Sequence, residues 1–87
     1  MKEITLESGL ILSVDERVMD DMELLDALSD LNEEDGTAIS RICRILLGKE
    51  EMAKLYEHLR KDGKVKVSEV VKAIMEIFRL LGDQGKN

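Results

Sequence analysis

Cys43 and His58 are the single cysteine and the single histidine of an 87-residue chain. They are therefore the one thiol–imidazole pair it could use for nucleophilic chemistry. The two fall in different predicted helices, and spacing places no third residue beside them. Cys43 reads as a small core hydrophobe, and His58 as an exposed helix residue beside the inward Tyr56 and Leu59. Carboxylates crowd the first half of the chain. Adjacent acids on a solvated helix do not, however, acquire the split pKa values that acid–base catalysis requires. Gly48-Lys49 lacks the upstream glycine and the following Ser or Thr of a phosphate-binding loop. No catalytic or cofactor-binding residue is assigned, and the expectation is a protein that is not an enzyme.

The best metal motif lies around Asp62. In an EF-hand loop, oxygen ligands stand at the first, third and fifth positions, glycine at the sixth, an aliphatic residue at the eighth and Glu at the twelfth. Asp62, Gly63, Val65 and Glu69 match the fifth, sixth, eighth and twelfth. His58 and Arg60 occupy the first and third, and a cation at a ligand position repels Ca²⁺. The same residues also read as an Asp-Gly turn, a packed valine and a first-turn glutamate. No metal ligand is assigned.

The elements around these residues must build one small domain, expected over residues 1–82, with 83–87 as a flexible tail. Apolar types make up 44% of the chain and charged types 37%, a balance that suits a folded protein. One Phe, one Tyr and no Trp require an aliphatic core. Apolar runs are too short for a membrane span or a signal peptide. A lone cysteine fits a reducing, cytoplasmic setting. The net charge of −6 argues against nucleic acid as a partner. It is unevenly spread: residues 15–35 carry −9, and residues 41–79 carry +4. Such a dipolar chain could dock on a basic partner or stack with copies of itself, or simply present a solvated acidic face.

Two β-prone stretches, Ile4 to Glu7 and Leu10 to Val14, flank Ser8-Gly9 and predict a hairpin over residues 2–14. About four short helices follow, giving a mainly α (α+β) fold. Helix one starts near Asp15, capped by Ser13 or Asp15, with Val18, Met22, Leu25 and Leu28 as its inward stripe. A polar loop spans residues 32–36. Asp35 or Thr37 caps helix two, which buries Ile39, Ile42, Cys43 and Leu46 and stops at Gly48. Helix three covers about 49–61, with Met52, Leu55, Tyr56 and Leu59 inward and a favourable Glu50–Lys54 pair. Residues 64–67 look extended, and Ser68 caps helix four, which runs to about Leu81.

Helix four is the most apolar element. Val70, Ile74, Ile77 and Leu81 form its core stripe, while Phe78, Val71 and Met75 widen it on one side and Leu80 on the other. The apolar arc of about 220° exceeds what a surface helix normally buries. Either helix four is the central helix, or its flanks are a contact surface. Val71, Met75 and Leu80 are the candidate partner-binding residues.

Several stretches, taken in order, resemble the small tail assembly chaperones of long-tailed (siphovirus-type) phages and prophages of Gram-positive bacteria. They are Leu6-Glu7-Ser8-Gly9, Val14-Asp15-Glu16, Asp20 to Leu25, Leu46-Leu47-Gly48, His58-Leu59-Arg60 before Asp62 to Val65, and the ending Gly85-Lys86-Asn87. The resemblance implies a non-enzymatic factor of the host bacterial cytoplasm, absent from the mature virion. Such a factor binds the tape measure protein and keeps it soluble while the tail tube assembles. Tail tube subunits and further copies of the chain are additional partners to consider, with no nucleic acid and no membrane. A second, frameshifted long form is also implied for many relatives. Two rival readings stand beside it: a small acidic regulator that mimics nucleic acid, and a degenerate EF-hand-like calcium module.

Overall fold

The computed structural model describes residues 1–30 and 36–84. Strands β1 (Lys2–Thr5) and β2 (Ile11–Val14) pair antiparallel, with Ile4 opposite Leu12 and Thr5 opposite Ile11. Gly9, at φ 97°, supplies the left-handed residue in the connecting loop, which Leu6 and Leu10 close by a main-chain hydrogen bond of 2.9 Å. The expected hairpin is present. Alternation puts Ile4, Leu6, Leu12 and Val14 on one buried face.

The expected first helix is divided. Asp15 caps a 3₁₀ helix, Glu16–Asp20, and α1 (Met22–Ser29) starts only after Asp21. Asp21 is extended (φ −104°, ψ 118°), and its carboxylate accepts from the Glu23 N–H. An extended residue between two helical pieces resets the helical phase. Leu24 and Ala27 are therefore the buried residues of α1, whereas Met22 and Leu25 face solvent, contrary to the stripe read from Val18.

Helix α2 (Gly36–Leu59) joins the expected second and third helices across a break at Gly48, where φ is 78° and ψ 174°. That backbone conformation is almost confined to glycine. The break is a sharp reversal of the chain. Tyr56 lines one depression with Gly36, Ile39 and Ser40 and lies near Cys43, residues that would be about 20–30 Å away along a straight helix. The arms 36–47 and 49–59 thus fold against each other. Thr37 lies inside the first turn of α2 rather than ahead of it; the alternative cap at Asp35 and most of the expected loop lie outside the described residues. Lys54 pairs with Glu51 at 2.9 Å in place of Glu50.

Helix α3 (Val67–Gln84) begins two residues earlier than expected, so Ser68 sits within it and the Lys66 carbonyl accepts the N–H groups of Glu69 and Val70. It also runs beyond Leu81 to Gln84, since each added residue gains a hydrogen bond once a helix is nucleated. That takes in the first part of the expected tail; residues 85–87 lie outside the described residues. The anticipated stripe of Val70, Ile74, Ile77 and Leu81 is buried, together with Ala73.

The core is aliphatic, built from Leu12, Leu24, Ile42, Leu46, Leu55, Ile74 and Ile77 at its centre. Truncating any one of these to alanine costs about 2–5 kcal/mol. Helix α2 holds the middle position, packing on α1, β2 and α3. Helix α3 is therefore not the central helix, and one of its faces stays open. The Cα radius of gyration, 12.4 Å, matches the roughly 12 Å of a compact chain this long.

Candidate functional site

Three polar contacts fix the hairpin to the helices. The Glu7 main-chain N–H donates to Glu76 Oε2 at 2.6 Å, the Ser13 N–H donates to Glu51 Oε2 at 2.9 Å, and Ser8 Oγ lies 2.8 Å from His58 Nε2. The first of these sets the hairpin loop beside α3 and leaves an open groove between them. Glu7, Val71, Lys72, Met75, Glu76 and Arg79 line it, enclosing about 530 Å³. A second depression, bounded by Val67, Ser68, Val71 and Lys72, continues it toward the start of α3.

Val67, Val71 and Met75 recur every four residues and form one strip along this groove. Val67 and Met75 are exposed, Met75 at 59%, and Val71 is half-buried. Lys72 and Arg79 line it together with Glu7 and Glu76, so the rim carries both signs of charge. An apolar helix strip with a polar rim is the geometry that accepts an amphipathic partner helix. The structure brings Val71 and Met75 together. Leu80 lies about 180° round α3 from Val71 and is half-buried against the core. The alternation over residues 64–67 reads as extended and Glu7 reads as part of the hairpin, so neither stands among the candidates from sequence. Val67 stands four residues before Val71, which is the signal that could have found it.

The chemistry-bearing residues have other surroundings. Cys43 is fully buried, and loss of water around the thiol pushes its pKa up to about 11. Burial likewise raises the Tyr56 hydroxyl. His58 is exposed, with Ser8 as its partner. Arg17 donates to both oxygens of Asp15 and holds that carboxyl well below the usual range, at about 2. A backbone hydrogen bond from Ser13 and the nearby Lys54 lower Glu51.

At the calcium-like motif, Lys61 and Lys64 exchange main-chain hydrogen bonds of 2.8 and 3.0 Å around Asp62 and Gly63. Both central residues have positive φ, 53° and 78°. That is the pattern of a tight type I′ turn, which Asp-Gly favours. Arg60 donates to Glu57 at 2.9 Å. Among the described residues, no three His, Cys, Asp or Glu side chains are grouped to hold a metal ion. No described helix is long and apolar enough to cross a membrane.

Comparison with protein-family models, with curated proteins and with solved structures gives no match to this chain.

Proposed function

We propose that this chain is a non-enzymatic tail assembly chaperone that covers amphipathic helices of a phage tape measure protein during tail tube assembly. The reading rests on the ordered resemblance of its sequence to those chaperones. The observation that carries it is the apolar strip of Val67, Val71 and Met75, left uncovered in a groove with a charged rim. Burial of such a strip against a partner helix supplies affinity, at about 25 cal/mol per Å² of apolar surface removed from water. The charged rim selects orientation. In this proposal Val71 and Met75 make the main contact, and Leu80 serves the opposite flank of α3. The acidic N-terminal half keeps the complex soluble in the host cytoplasm.

Light scattering of a tape measure fragment tests the reading. The wild-type chain is expected to suppress aggregation, and Val71→Asp/Met75→Lys to lose most of that protection while keeping its helical circular dichroism. Equal protection by the folded double variant removes these residues from the contact. No protection by the wild type overturns the function.

A further inference from the structure

Leu24 and Ala27 bury one side of α1, yet three other apolar residues of the same segment face water. Met19 is 43% exposed, Met22 66% and Leu25 51%. Met22 and Leu25 stand three apart, as neighbours on one helix face. Met19 belongs to the preceding 3₁₀ helix, and the extended Asp21 separates it from that face. Glu16, Asp20, Glu23 and Asp26 are all exposed on this segment. Its one cation, Arg17, is held by Asp15. Arg41 and Arg44 approach Glu23 and Asp26 from the α2 side, where Arg41 pairs with Asp30. Residues 15–30 hold seven carboxylates and one arginine, so the segment keeps a net negative charge even with Arg41 and Arg44 beside Glu23, Asp26 and Asp30.

Exposed apolar side chains on a carboxylate-rich segment carry two instructions for a partner. The flexible Met22 thioether adapts to differently shaped apolar surfaces. The surrounding carboxylates attract Lys and Arg and repel acidic chains and phosphates. A helix with an apolar stripe and basic flanks meets both. We propose that the Met22 and Leu25 face of α1 is a docking surface for a basic amphipathic helix of another protein. It is separate from the α3 groove and does not depend on the function assigned there.

Fluorescence anisotropy with a dye-labelled leucine–lysine amphipathic peptide of about 18 residues tests this. Two control peptides accompany it: one of the same composition scrambled to remove the apolar stripe, and one with glutamate in place of lysine. The full chain is expected to bind the amphipathic basic peptide at least about tenfold more tightly than either control. Met22→Ser/Leu25→Ser is expected to weaken binding about tenfold with an unchanged melting curve, since both side chains are already in water. Met22→Gln alone should fall part of the way, and Val71→Asp/Met75→Lys should bind as the wild type does. Equal binding of the scrambled peptide reduces the surface to charge alone and overturns the proposal. So does undiminished binding by Met22→Ser/Leu25→Ser, or the absence of binding to the wild type. Sedimentation supplies the last arm: a wild-type dimer that Met22→Ser/Leu25→Ser dissolves would give this face to a second copy and overturn it as well.

Discussion

Glu51 Oε2 accepts the main-chain N–H of Ser13 at 2.9 Å, while Oε1 of the same carboxylate takes Lys54 Nζ at 2.9 Å. One side chain thereby occupies the outer edge of β2 and ties the hairpin to the second arm of α2. A two-stranded hairpin is marginal by itself in water. Here it gains a helix-borne acceptor where a third strand would otherwise sit. Glu51→Ala is expected to destabilise the fold by about 1–2 kcal/mol, read from urea unfolding, because it strands a partly buried N–H. Glu51→Gln, which keeps an acceptor oxygen, should lose less. Equal losses for the two would mean that the carboxylate's charge, not its hydrogen bond, holds the strand.

Acid should weaken the same tie. The Glu51 carboxyl titrates below its ordinary value of 4.5, chiefly through the Ser13 hydrogen bond, and Asp15 titrates at about 2 against an ordinary 3.8. A carboxyl with a lowered folded pKa binds fewer protons in the native chain than in the unfolded one. Its contribution is complete above the ordinary value and drains away as the pH falls through the folded value. Urea midpoints are expected to decline between about pH 5 and pH 2. Glu51→Gln should make that decline shallower, and a slope identical to wild type would remove Glu51 from it.

Gly48 holds a conformation that side chains bearing a Cβ avoid, although there is open space around its Cα. The cost of replacing it is therefore backbone strain rather than collision. Gly48→Ala is expected to cost about 1–3 kcal/mol in thermal or urea unfolding. Ala53→Gly, in an exposed helical position of the second arm, offers a comparison of about 1 kcal/mol from helix propensity alone.

The Cys43 thiol is expected to resist alkylation in the native chain. Raising its pKa from 9.0 to about 11 lowers the thiolate population about a hundredfold near neutral pH, and burial blocks access as well. Maleimide labelling in buffer should be slow and become rapid in denaturant. Rapid labelling of the folded chain would mean that the arms of α2 open readily.

Some of this architecture was legible from residue order and some was not. The hairpin was legible because Ile4, Leu6, Leu12 and Val14 alternate around Ser8-Gly9, and a strand's period of two is hard to mistake. The core stripe of α3 was legible because Val70 to Leu81 holds a helical period without interruption. Helix α1 was not. A single extended residue, Asp21, separates two helical pieces, and counting at 100° per residue from Val18 carries the wrong phase into Met22 and Leu25. Val67 escaped for a related reason: the alternation of Lys64, Val65, Lys66 and Val67 imitates a strand. Its place on the α3 strip depends on the helix starting at Val67. Nor could spacing alone reveal that Glu51 turns from its sequence neighbour Lys54 toward a distant strand edge as well.

The reversal at Gly48 has a spectroscopic consequence. It lodges the chain's single tyrosine against Ser40 and Cys43, in a molecule that has no tryptophan. Ultraviolet absorption and emission near 280–305 nm therefore come almost wholly from one phenol at the seam between two arms. The protein carries its own unlabelled optical gauge, which brightens, dims or shifts as that seam parts, and can follow partner engagement or unfolding without an attached dye.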